Sequence, residues 1–235
     1  MLRYAASFFR PVLCNNDPKL RSSPVGHSGD RSNGRAQVFV WSGDEHNVGH
    51  VAIQLDSGPA KCSDDQSSVY ASIWPDKYSA VGPLTIVPLH AALASNLASD
   101  ARLESIKASV EYDSSGDGVW VRRHTGEPIQ PDKVFTITKL DKGKMIEEYE
   151  RIKSGVQSGK VCYQLFPGIK TTSTEVYNCT TLANHILRVG GLTSLPASPS
   201  WRPAAFANLL EKQPNTLVQQ HDDDNLLQCG ASPRL

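Results

Sequence analysis

The sequence predicts an α+β fold with a central antiparallel sheet, and three observations predict it. Short apolar runs of period two, Gln37 to Trp41, Gly49 to Leu55 and Val69 to Trp74, follow one another with turn residues between them, as in an antiparallel meander. Longer runs with apolar residues at helical spacing come later, at Asp141 to Lys153 and from Cys179 to Val189. The chain has 235 residues, 39% of them apolar, enough to bury one good core rather than two.

Taken in order, residues 1–36 are rich in Ser, Pro, Gly, Asn and Arg and read as a disordered leader. Arg10 and Pro11 interrupt its apolar patch (Tyr4, Phe8, Phe9, Val12, Leu13), which leaves too short a core for a secretory signal peptide. The domain proper is expected over residues 37–212. Its first strand runs from Gln37 to Trp41, Ser42 to Glu45 make a turn, and Gly49 to Leu55 form the second strand. There the alternation puts His50, Ala52 and Gln54 on one face and Val51, Ile53 and Leu55 on the other. Val69 to Trp74 is the third strand, stopped by Pro75. Leu and Ala at helical spacing predict a helix from Leu89 to about Ile106, and strands follow at Lys107 to Tyr112, Val119 to Arg122 and Val134 to Lys139. The Asp113 to Gly118 stretch has the look of a calcium loop but carries His124 where the bidentate Glu belongs, so it reads as a hairpin loop. A helix with Met145, Ile146, Tyr149 and Ile152 inward comes next, then a strand from Val161 to Phe166, then the Cys179 helix, which Gly190-Gly191 ends. Trp201-Arg202-Pro203 starts a last helix through Glu211. Residues 213–235 read as a flexible C-terminal tail, whose His221-Asp-Asp-Asp run is a solvated charge run rather than a metal site.

Composition excludes several classes of function. Lysine plus arginine and aspartate plus glutamate both number 24, so no basic field marks a nucleic-acid partner. No apolar run approaches the roughly 20 residues that span a bilayer, so no transmembrane segment is expected. Five cysteines at irregular spacing, without a CxxC pair, indicate neither zinc nor a disulfide framework. No metal and no cofactor is expected.

Chemistry concentrates at Asn178-Cys179-Thr180-Thr181. Asn178 is an N-cap, so Cys179 sits on the first turn beside unsatisfied backbone N–H groups and the positive end of the helix dipole. Both favour thiolate over thiol and offer donors to a developing oxyanion. The plain reading, a small buried apolar residue at a helix start, competes with this on equal terms. A cysteine nucleophile needs a base. His50 opens a core strand after a glycine, whereas His185 lies about 240° around the helix from Cys179. His46-x-x-x-His50 falls in a loop, and Glu45 precedes the first histidine, so it is no zincin motif. His27, His90, His124 and His221 are assigned to leader, loop or tail.

Gly49-His50-Val51-Ala52-Ile53, followed more than a hundred residues later by Tyr177-Asn178-Cys179-Thr180-Thr181-Leu182, resembles the circularly permuted papain-like proteins, NlpC-type peptidases among them. In these the histidine strand precedes the cysteine helix. Ile73-Trp74-Pro75 and Gly190-Gly191 further resemble secreted bacterial effector hydrolases of the TseH-like kind. The resemblance implies a papain-like cysteine hydrolase in which Cys179 attacks a carbonyl, His50 shuttles the proton and a third polar residue orients the ring. For the third residue it points to the strand after the histidine, which offers Ser72 and, just beyond, Asp76. Ser72 is favoured because it shares the face of His50. The implied activity is cleavage of an amide bond in the peptide stems of peptidoglycan by a monomeric secreted effector or toxin, made in the cytoplasm without a classical signal peptide and partnered by an immunity or host protein. A host-directed protease, deamidase or acyltransferase shares the same thioester chemistry. A non-catalytic binding module on the same scaffold is the reading from another class.

Overall fold

The computed structural model describes residues 34–43, 48–56, 68–76, 87–112, 114, 116, 118–124, 126–167 and 174–220. In chain order these form β1 (Gly34–Trp41), β2 (His50–Asp56), β3 (Val69–Ala71), β4 (Ile73–Pro75), β5 (Leu89–Leu93), α1 (Leu97–Glu104), β6 (Ile106–Tyr112) and β7 (Gly118–His124). There follow β8 (Lys133–Leu140), α2 (Lys142–Gln157), β9 (Val161–Tyr163), β10 (Glu175–Tyr177), α3 (Cys179–Val189), α4 (Pro203–Leu210) and β11 (Thr216–Gln220). The fold is α+β.

The meander expected from the alternation is present. β1 pairs antiparallel with β2, Val38 opposite Ile53 and Trp41 opposite His50, and β2 pairs antiparallel with β3. With β8 on the other side of β1 and β11 beyond it, the order of this sheet is β11-β8-β1-β2-β3. A second sheet runs β10-β9-β5-β4; its β9–β10 pair is parallel and its other pairs are antiparallel. The run expected as one strand from Val69 to Trp74 serves both sheets. Its first half pairs with β2 and its second with β5, and Ser72 is the residue at the changeover. β6 and β7 form a separate antiparallel hairpin across the Asp113 to Gly118 stretch.

Three sequence expectations need correction. Leu89 to Leu93 is a strand and not the start of a helix, because β4 and β9 pair with its two edges. The helix begins only after Asn96, whose side chain accepts the Ser99 N–H at 2.8 Å and so sets the start at Leu97. The expected tail from residue 213 contains β11, which the backbone ladder to β8 holds although Leu217 and Val218 are both exposed. Residues 221–235 lie outside the described residues, as does the expected leader up to residue 33. Among the described residues β1 already runs from Gly34, ahead of the expected Gln37, and a side chain at Gly34 would collide with the Leu140 carbonyl, 2.2 Å from an ideal Cβ.

The main core lies on the Val51, Ile53 and Leu55 face of β2, where Leu182, Ala183 and Ile186 of α3 and Met145, Tyr149 and Ile152 of α2 cover it. Each large aliphatic side chain fully buried there contributes about 1.5–3 kcal/mol. A smaller cluster on the opposite face, Phe39, Trp41, Ala52 and Val134, takes Tyr70 and Leu97 against it. α1 therefore covers the face of β2 that carries His50, which places its polar residues within reach of that ring.

Candidate active site

The first turn of α3 is fixed by a reciprocal cap. Asn178 Oδ1 accepts the Thr181 N–H at 2.7 Å, and Thr181 Oγ1 accepts the Asn178 N–H at 2.9 Å. Such a cap is worth about 1 kcal/mol. Asn178 Nδ2 also donates to the Leu165 carbonyl at 2.8 Å, which ties the helix start to the segment after β9. Cys179 is the first helical residue, buried, and the cap leaves the Cys179 and Thr180 N–H groups unused.

His50 is the first residue of β2, so its side chain stands at the end of the strand, at the rim of the sheet rather than in the middle of its face. Gly49 lets the chain come close to Trp41 there: its φ is +79°, and an ideal Cβ would stand 2.3 Å from the Trp41 carbonyl oxygen. The imidazole is 2% exposed and stacks on Trp74 with ring centroids 4.1 Å apart and planes 20° apart. Its Nε2 is 2.8 Å from Ser72 Oγ and 3.4 Å from Asp100 Oδ2. Ser72 donates its own proton to Asp100 Oδ1 at 3.0 Å, so its lone pair accepts from His50 and Nε2 carries a proton. Trp74 Nε1 donates to Asp100 Oδ1 at 2.7 Å and Tyr70 OH to Oδ2 at 2.6 Å. With Nε2 committed, Nδ1 is the ring nitrogen left for another partner.

The electrostatics follow from this cage. Burial alone would lower the His50 pKa, but the charges of Cys179 and Asp100, each joined by a hydrogen bond, outweigh it and raise the group from 6.5 to about 10. Asp100 is fully buried, which by itself would raise its pKa. The charge of His50 and the hydrogen bonds from His50, Tyr70 and Trp74 hold it below the ordinary carboxylate value instead. The arrangement suits a charged imidazole with a buried carboxylate behind it.

Cys179, His50 and Ser72 are therefore brought together, and a fourth residue, Asp100 of α1, completes the group. Asp76 takes no part in this network. His185 faces away, its Nε2 2.5 Å from Glu148 Oε1. His90 is on β5 and His124 ends β7, so neither is in a loop; His27, His46 and His221 lie outside the described residues. A groove of about 700 Å³ between β3, β5 and α2, lined by Tyr70, Leu93, Tyr149 and Lys153 among others, does not include Cys179 or His50. It adjoins the acid through Tyr70 and not the sulfur. Among the described residues no three His, Cys, Asp or Glu side chains gather as a metal would need, and no helix is long and apolar enough to cross a membrane.

Fold and site together define an α+β protein in which a buried histidine, serine and aspartate are linked by short polar contacts, with a buried cysteine near enough to act on the histidine's charge. Neither models of known families, nor curated proteins, nor solved structures give a match to this chain.

Proposed function

We propose that this chain is a thiol hydrolase that cleaves an amide bond through a Cys179–His50 pair on a papain-like scaffold of permuted order. The observation that carries the reading is the buried imidazole of His50, its Nε2 2.8 Å from Ser72 Oγ and 3.4 Å from Asp100 Oδ2, with Cys179 near enough to act on its charge. In the reaction Cys179 Sγ attacks the acyl carbon, and the carbonyl π electrons move to oxygen, which the Cys179 and Thr180 N–H groups hold. The tetrahedral adduct collapses, the C–N bond breaks, and the amine leaves with the proton from His50 Nδ1. Water then attacks the thioester, His50 takes its proton, and the carboxylic acid departs with the thiolate restored. Ser72 and Asp100 keep the ring oriented through both halves and stabilise its charge.

Peptidoglycan peptide stems, cleaved by a secreted effector, are the substrate class that the motif resemblance supports. The test is incubation of the full chain and of Cys179→Ala with purified peptidoglycan and with a panel of host proteins, products read by mass spectrometry. New termini that appear only with the wild type identify the bond. A wild type that behaves as Cys179→Ala on every substrate, with Cys179 alkylated like an ordinary thiol, leaves the binding-module reading in its place.

A further inference from the structure

The two residues that flank Cys179 each tether a segment carrying an aromatic side chain. Asn178 Nδ2 holds the Leu165 carbonyl at 2.8 Å, and the next residue is Phe166. Thr180 Oγ1, which stands 4.0 Å from Cys179 Sγ, donates to the Trp201 carbonyl at 3.2 Å. The two tethered rings meet edge to face, 4.9 Å between centroids at 74°, and both residues are only half-buried. An aromatic wall is thus anchored to the turn that carries the sulfur. Arg202 is exposed and lies over the Trp201 ring, its guanidinium carbon 5.1 Å from the centroid. A guanidinium carries five N–H donors in a planar fork that matches a carboxylate, and a cation–π contact uses none of them as a hydrogen bond. Among the ion pairs of the described residues none uses Arg202.

We propose that Phe166, Trp201 and Arg202 form the acyl-donor subsite beside Cys179. It takes a donor with a flat or apolar group next to the scissile carbonyl and a carboxylate within reach of the guanidinium. The wall excludes water on one side of the acyl group, and Arg202 selects for negative charge. This rests on Cys179 being the nucleophile, and it narrows the substrate from any amide to an anionic peptide-like one.

The charge preference is read with two alkylating agents of nearly the same size, iodoacetate and iodoacetamide, in which the sulfur displaces iodide from either. Rates are followed by mass spectrometry on the peptide that contains Cys179, in the full chain. Arg202→Gln should lower the iodoacetate-to-iodoacetamide rate ratio about tenfold, the effect of one charge-assisted contact, and Arg202→Lys should restore part of it. The wall is read in the same way with N-phenylmaleimide against N-ethylmaleimide. Trp201→Ala, or Phe166→Leu should that variant fold poorly, should lower the phenyl preference several-fold. Ratios that stay within twofold of wild type in all these variants overturn the subsite. His50→Ala separates the two ideas: an unchanged pH profile of Cys179 alkylation overturns the dyad, and the acyl-donor role with it. An altered profile combined with unchanged ratios overturns the subsite alone.

Discussion

His50 and His185 each face a carboxylate through Nε2, yet the two pairs are different physical objects. The first is sealed, His50 at 2% and Asp100 at 0% exposure, with Ser72, Tyr70 and Trp74 supplying the remaining hydrogen bonds. The second is half in water, His185 at 37% and Glu148 at 18% exposure, and Glu148 shares itself with Arg151, which also grips Glu175. Only the first has a cysteine acting on the ring. A charge pair in water gives back most of its attraction to solvent screening, whereas a sealed pair keeps it and strands its partner when broken. Sealing, rather than the His–carboxylate contact itself, is what separates the two pairs.

The largest expected effect breaks the comparison at its chemical end. Cys179→Ala and His50→Ala should each lower hydrolysis by a factor on the order of 10⁴ or more, while removal of the His185 ring leaves the rate within about twofold. Turnover of the substrate identified above checks it. Equal losses for His50 and His185 variants would mean that neither histidine is the base.

Next in size is the sealed carboxylate. Asp100→Ala leaves an imidazolium, an indole N–H and a phenol in a buried space without their acceptor, and breaking a buried pair in this way costs about 3–5 kcal/mol. Asp100→Asn keeps the shape and one oxygen, and should cost less stability while still lowering turnover. Urea unfolding midpoints of the two variants measure the difference. A midpoint for Asp100→Ala equal to wild type would show that solvent reaches the cage.

How far these residues were legible depends on whether their signal was local. Asn178-Cys179-Thr180-Thr181 announces itself because cap, cysteine and apolar stripe occupy one helix; Asn178 is the N-cap as expected, and Thr181 adds a reciprocal bond that was not. The face of His50 followed from strand alternation, which is short-range; Ser72 came from the strand to which the resemblance points, and the meander register only put it on that face. Asp100 followed from neither, since Asn96, the cap that starts its helix, is hidden in a run where Leu and Ala recur at helical spacing from residue 89 onward. The strand pairing that breaks this run is made with β4 and β9, far apart in sequence. A buried helix face that presents an acid also defeats hydropathy, which assigns Asp100 to solvent. β11 was missed for the opposite reason: its apolar Leu217 and Val218 are adjacent and both exposed, so no alternating inward pattern marks it, and backbone pairing defines it. The acid could have been sought as a polar residue one turn into a capped helix, but only once Asn96 was recognised as the cap.

A third effect sharpens the comparison through pH. His50 has a folded pKa raised from 6.5 to about 10, so the stability it contributes is complete below about pH 6.5 and is lost as pH rises through 10. Asp100 has a lowered folded pKa, so its contribution is present above the ordinary value of 3.8 and is lost as pH falls through the lower folded one. For this pair the window of full stabilisation therefore lies between those ordinary values, and stability should decline on its alkaline side. Thermal midpoints collected from pH 6 to 10 should show the decline in wild type and a flatter line in His50→Phe. A wild-type curve as flat as that of the variant would contradict a charged, buried His50.

The smallest expected effect lies at the surface network. Glu148 is partly buried, which would raise its pKa, but the hydrogen bonds of Arg151 and His185 and their charges hold it below its ordinary value. Arg151 remains paired with both Glu148 and Glu175 when His185 is removed, so Glu148 keeps a partner and no charge is stranded. The His185 ring also lies 5.6 Å from that of Tyr177, a contact that glutamine replaces only in part. His185→Gln should therefore cost at most about 1 kcal/mol, and less at high salt, where exposed pairs are screened. Urea unfolding of that variant at low and high ionic strength measures both points. A loss near that of Asp100→Ala, insensitive to salt, would show that partial exposure does not weaken this pair and that the contrast between the two histidines has to be sought in the cysteine alone.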